Sequence, residues 1–270
     1  MTKEKILIVI KTYPVMSESY TEVACTAGVR EDGSWVRLFP IPFRLLERDK
    51  RYAKYQWVEA EVEYSKDIRP ESRRVPDVYG DGIVLLDKVD TGKNRDWAQR
   101  RQLLLDKNKI YTNKKEIITK AHANELSLVI FKPSKITDFV IKKANTELSA
   151  DKLQAIQDRL KRENILDEHD LVDFEHVRKL PYKFSYSFLD DEGIKSTLMI
   201  EDWEIGALYW NCLKRHGEEI VLKKVREQYM DNFVGTKDLY LFLGTTRQWH
   251  IRKAPNPYVI IGTFYPPYEK

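Results

Sequence analysis

An Asp-Gly pair sits between two short apolar runs near the amino terminus, in VACTAGVREDGSWVRLFPIPFR (Val23 to Arg44). Asp-Gly in that setting is among the strongest local signals for a β-hairpin, because glycine tolerates the positive φ that the tight turn requires. Val23 to Arg30 forms the first strand of the expected pair and Trp35 to Phe39 the second. Along the second strand Val36 and Leu38 share one face, and Trp35, Arg37 and Phe39 share the other. The first face reads as core. The second carries two rings around a guanidinium, a surface suited to stacking a base or gripping a phosphate.

A chain of 270 residues suits one large domain or two of ordinary size and can bury a proper core. With 42% hydrophobic and 33% charged residues it reads as a soluble globular protein. No apolar run reaches the roughly 18 residues of a membrane span, and Ile6 to Ile10 is too short for a signal-peptide core. Cys25 and Cys212 are the only cysteines, which points to a reducing cytoplasm and away from a disulfide scaffold. The net charge of +4 is mild but unevenly spread. Lys88 to Lys120 holds ten Lys/Arg against four Asp/Glu, a run that either tracks phosphates or solvates a helix face.

Taken in order, Lys5 to Lys11 is a continuous apolar run expected as a central strand. A loop follows to Tyr20, then the hairpin, which Pro40 and Pro42 end. Phe43 to Arg51 is expected as a short helix, and Tyr55 to Tyr64 alternates as a strand. Residues 67–76 form an arginine-rich loop. Thr91 to Asn124 reads as helical, 126–131 and 135–141 as strands, and Ser149 to Glu163 as an amphipathic helix. An acidic connector covers 164–173. Tyr182, Phe184, Tyr186 and Phe188 alternate on a strand, and Lys195 to Ile200 returns. Helices are expected over 201–216 and 218–233, then strands over 239–243 and 258–264, with a polar, aromatic loop at 244–250.

Cations and rings recur together. Trp35, Arg37 and Phe39 on the strand, Arg44 after it, Arg69, Arg73 and Arg74 in the loop, and Arg247, Trp249, His250 and Arg252 near the end make up the candidate nucleic-acid surface. Single-strand binding uses that combination, rings as stacking platforms and cations along the backbone. Buried core tryptophans are the plain alternative for Trp35 and Trp249.

Glu201, Asp202 and Glu204 cluster where a strand meets a helix, the place from which nuclease carboxylates hold a divalent cation. Acids in a first helical turn also cap it and favour its dipole. Cys212 and His216 stand four apart on a helix, but no second ligand pair accompanies them, so no metal site is expected. No cofactor-binding motif is present, and no cofactor is expected.

Ala27-Gly28 with Gly33-x-Trp35-x-Arg37, together with Ser127 to Pro133 and Asp202-Trp203-Glu204, resembles uncharacterised bacterial proteins described as having paired OB-type barrels. The resemblance implies small β-barrels with a nucleic-acid-facing surface across strands and loops, and nothing catalytic. The expected architecture is therefore α+β. A β-barrel-like (OB/PUA-type) amino-terminal module with helical insertions spans 1–145, a helix and acidic connector 146–180, and a second α+β module 181–270. The expected function is nucleic-acid binding, DNA or RNA, as an accessory factor in nucleic-acid processing or defence against foreign DNA. One alternative is a metal-dependent nuclease using Glu201, Asp202 and Glu204. Another is a protein-interaction module of a larger effector, contacting its partner through Tyr258, Phe264, Tyr265 and Tyr268.

Overall fold

The computed structural model describes residues 1–17, 21–144 and 179–269. The helix expected over 149–163 and the acidic connector lie outside the described residues.

Five strands close a barrel. They are β1 (Thr2–Lys11), β3 (Thr21–Val29), β4 (Trp35–Ile41), β5 (Gln56–Tyr64) and β6 (Ser72–Arg74). The ring runs β1-β3-β4-β6-β5 and closes where β5 pairs with β1. All its contacts are antiparallel except β4 with β6. Two short strands extend it: β2 (Val15–Ser17) on β3 and β7 (Ile83–Lys88) on β5. The Asp-Gly turn forms as expected. Gly33 takes φ +90°, and Asp32 Oδ1 accepts from the Ser34 amide at 2.9 Å.

Alternation sorts these strands into two cores. Ile6, Ile8, Val36, Leu38, Val58, Ala60 and Val62 point into the barrel. Leu7, Val9, Ala27 and Val29 point outward and are just as buried, against Leu128, Ile130, Phe242, Ile261 and Phe264. β1 is thus apolar on both faces, as its unbroken run suggests.

The outer layer comes from strands that follow the barrel, from Ile110 onward. β8 (Ile110–Tyr111), β9 (Leu128–Phe131), β13 (Tyr240–Thr245) and β14 (Tyr258–Phe264) form a four-stranded sheet in the order β14-β13-β9-β8. A three-stranded sheet of β10 (Lys135–Lys143), β11 (Tyr182–Leu189) and β12 (Lys195–Met199) packs Phe139, Phe184, Tyr186 and Phe188 against Tyr209, Val225 and Tyr229. Residues 128–143 hydrogen-bond with carboxy-terminal strands. Helices Trp203–His216 and Glu218–Arg226 form where expected, and the second continues as a π-helical segment, Glu227–Val234. Tyr13 lies flat on the first, where a Cβ at Gly206 would sit 2.1 Å from its ring.

The single helix expected over 91–124 is replaced by two short ones, Ala98–Leu104 and Lys114–His122, separated by β8. Arg95 and Trp97 both adopt positive φ ahead of the first, and Asn113 caps the second by accepting from the Glu116 amide at 3.0 Å. Basic residues of good helix propensity concealed that interruption. β7 was not anticipated from sequence, and 244–250 carries a short helix, Arg247–Ile251, capped by Thr246.

A polar seam joins barrel and outer layer. Glu71 accepts from the Ser127 amide at 2.7 Å, its hydroxyl at 2.6 Å and the Leu128 amide at 3.3 Å. Arg37 Nη2 donates to Ser127 Oγ at 3.0 Å and to its carbonyl at 3.2 Å. Arg69 Nη1 donates to the Thr245 carbonyl at 2.7 Å while Asp67 holds its other edge. Removing one member of a buried charged network strands the others. Glu71→Ala is expected to cost about 3 kcal/mol in urea unfolding, whereas Arg74→Ala, on the surface, stays within about 0.5 kcal/mol.

Candidate functional site

The arginines and rings expected to form one surface divide between interior and exterior. Arg37 is 2% exposed and Arg69 is buried, both held in the seam. Trp35 packs edge-to-face on Phe242, ring centroids 5.8 Å apart. His250 is 2% exposed, and its Nε2 meets Asn124 Oδ1 at 3.0 Å. Burial, with Arg69 acting in the same direction, lowers its pKa. Arg44 Nη1 pairs with Glu22 at 3.3 Å.

Of the remainder, Phe39, Arg74 and Arg247 line a groove of about 510 Å³ together with Pro40, Glu63, Tyr64, Ser65, Lys66 and Asp67. It crosses from the barrel to the second half of the chain. Tyr64 is 85% exposed at the end of β5, with the Arg73 guanidinium 4.6 Å from its ring centre. Arg74 pairs with Glu63 at 2.7 Å. Burial opposes ionisation of Asp67, yet the hydrogen bonds and charge of Arg69 hold its pKa below the ordinary value. Lys66 and Arg247 are exposed and form no ion pair with any described residue. On the helix that starts with Arg247, Trp249 is 46% exposed and the Arg252 guanidinium stands 6.0 Å from its ring.

Tyr64 and Lys66 are the groove residues that pattern reading missed. Alternation along β5 puts Tyr64 with Val58, Ala60 and Val62, but the strand outruns the barrel there and its last residue projects into solvent. The Ser65-Lys66 polar step that follows is the one signal of that ending.

The carboxylate cluster adopts the capping arrangement. Asp202 is 1% exposed and its Oδ1 accepts from the Glu204 amide at 3.2 Å, capping helix Trp203–His216. The positive charge between the acids is Lys54, whose Nζ is 2.7 Å from Glu204 and 3.9 Å from Asp202. Glu201 is directed elsewhere: its pKa is raised by burial and opposed by Lys183. Among the described residues no group of three or more His, Cys, Asp or Glu is arranged to hold a metal ion. The carboxy-terminal rings are mostly interior. Tyr258 and Phe264 are core, Tyr265 stacks on Phe233 with centroids 3.8 Å apart, and Tyr268 is exposed.

A family model described as a domain of unknown function (DUF8757) matches residues 110–270, more than half of the chain. The chain belongs to that family. A second model, also described as a domain of unknown function (DUF8758), matches residues 2–106. The two matches meet between the helix Ala98–Leu104 and β8. No curated protein matches the chain. Among solved structures it is similar to a murine DNA-binding protein bound with double-stranded DNA, at 10% identity and a TM-score of 0.31, over 100% of this chain and 98% of that one. A likeness that low carries neither fold nor ligand across. Among the described residues no helix is long and apolar enough to cross a membrane.

Two buried acids beside the barrel set a pH dependence. Burial pushes Glu22 up to about 7 against the pull of Arg44 and Arg51, and Asp202 up to about 7 against Lys54. An acid whose pKa is higher folded than unfolded binds more protons in the folded state, so stability falls as pH rises between the two values. Unfolding free energy is expected to decrease from about pH 5 to about pH 8. Glu22→Gln should flatten that slope by on the order of 3 kcal/mol, measured by urea denaturation across the range.

Proposed function

We propose that the chain binds single-stranded nucleic acid in the groove lined by Tyr64, Lys66, Arg74 and Arg247. The observation that carries this reading is Tyr64, an almost fully exposed ring with a guanidinium on it, beside two cations that no described carboxylate neutralises. A base has a π-face for the ring, and its phosphates have partners in Lys66 and Arg247.

Topology supports the same place. Numbered among the barrel strands alone, the ring is 1-2-3-5-4, with strand 3 parallel to strand 5. That order is consistent with an OB-like Greek-key barrel, a kind whose ligands lie on strands 2 and 3 and on the loops after strands 1 and 4. The loop after strand 4 is Ser65 to Glu71, and Phe39 and Pro40 lie near the end of strand 3, which favours this groove as the place where an oligonucleotide would bind. The face of strand 3 that carries Trp35 and Arg37 is covered and takes no part. In this reading the protein is an accessory factor in nucleic-acid processing or in defence against foreign DNA.

Fluorescence anisotropy with single-stranded DNA and RNA and with duplex DNA tests it. Tyr64→Ala should weaken single-strand binding by about 1–3 kcal/mol, roughly 5- to 150-fold. Lys66→Ala and Arg247→Ala should each reduce the slope of log affinity against log salt by about 0.7. Undetectable binding at low salt, or an affinity indifferent to all three substitutions, contradicts the proposal.

A further inference from the structure

The end of β1 is stitched to the start of helix Trp203–His216. Thr12 bridges Asp202, and the Tyr13 amide donates to the Glu201 carbonyl at 2.7 Å. That stitching sets Lys11 among rings. Its Nζ lies 4.2 Å from the centre of Phe43, 5.3 Å from Trp203 and 6.0 Å from Tyr52. Its one hydrogen bond among the described residues is a long one, 3.4 Å to the Tyr52 carbonyl. Both nearby carboxylates are taken by the second lysine: Lys54 holds Glu204 and Asp202 and also donates to the Thr263 carbonyl at 3.1 Å. Lys11 is half-buried. Asp202 Oδ2 is buried and accepts no hydrogen bond from any described residue.

An amine in an aromatic pocket, next to another ammonium, with a buried carboxyl close by, has the parts of a Schiff-base lysine. We propose that Lys11 is a nucleophile that captures aldehydes as an imine, with Asp202 handling the protons. The Nζ lone pair forms the C–N bond while the carbonyl π pair moves to oxygen, which takes a proton from the Asp202 carboxyl. A proton leaves nitrogen for the Asp202 carboxylate through a bridging water, since the two groups stand beyond ion-pair distance. It is then delivered to the hydroxyl, which departs as water as the nitrogen pair closes the C=N bond. No electrons are gained or lost overall. The ring walls suit a flat, unsaturated body behind the carbonyl.

The charges around the amine act in keeping with this role. Burial pulls the Lys11 pKa down to about 8, with Glu204 and Asp202 opposing and Lys54 adding to the fall. A sizeable neutral fraction therefore exists near neutral pH, where an exposed lysine has almost none.

The test is reductive trapping of the full chain with benzaldehyde and cyanoborohydride near pH 7.5, with each lysine's labelling rate read by peptide mass spectrometry. Lys11 should label about tenfold faster than the exposed Lys93 or Lys253, with a rate that rises through a midpoint near pH 8. Asp202→Asn should slow Lys11 labelling and leave Lys93 unchanged, and Lys11→Arg should leave only the slow background. Should either variant fail to fold, the site-resolved rates of the unaltered chain decide alone. Lys11 labelling no faster than Lys93, or with no midpoint below that of the exposed lysines, overturns the proposal.

Discussion

Glu71 reaches out of the barrel to take the amide and hydroxyl of Ser127, just ahead of β9, and the amide of Leu128, its first residue. Most of the structure depends on that contact. β9 is the strand from which β8 and β13 are hydrogen-bonded, so fixing its start fixes the whole outer sheet against β1 and β3. It also places a negative charge near Arg37, which has no carboxylate within ion-pair distance among the described residues and donates instead to Ser127 and to the Cys25 thiol at 3.5 Å. A guanidinium 2% exposed is tolerable only when such partners surround it.

Much of the fold could be read from the sequence because its causes are local. The Asp-Gly turn, the two-faced apolar run of β1, the alternating rings of β11 and the Asp202-capped helix each follow from a few neighbouring residues, and each is present. The α+β class with a barrel-like first module stands on those elements. The covering of the hairpin's second face was not readable. Alternation of Trp35, Arg37 and Phe39 states that two faces differ; it does not state whether water, ligand or another sheet lies on the second. Here a sheet some ninety residues further along does, and long-range pairing leaves no local mark. The same blindness put Tyr64 inside and Arg37 outside.

Charge is consequently divided by depth. Buried cations (Arg37, Arg69 and Lys54) join the barrel to the outer layer, each by donating to a backbone carbonyl across the seam. Exposed ones beside Tyr64 face a groove that both halves build. The cluster that resembles a metal site in sequence carries its own ammonium, because a lysine 150 positions away folds between Asp202 and Glu204. Which arginines are free to meet a ligand is thus decided by packing, and composition is silent on it.

The central claim is that the barrel's outer wall is a shared core, so barrel and outer sheet are one cooperative unit. Native-state hydrogen exchange in increasing denaturant measures this directly. The account predicts that the amides of β1, β4, β9 and β13 open together, with the same free energy and the same denaturant dependence. Protection surviving in β9 and β13 under conditions where β1 and β4 exchange freely would show two independent units, and would contradict it.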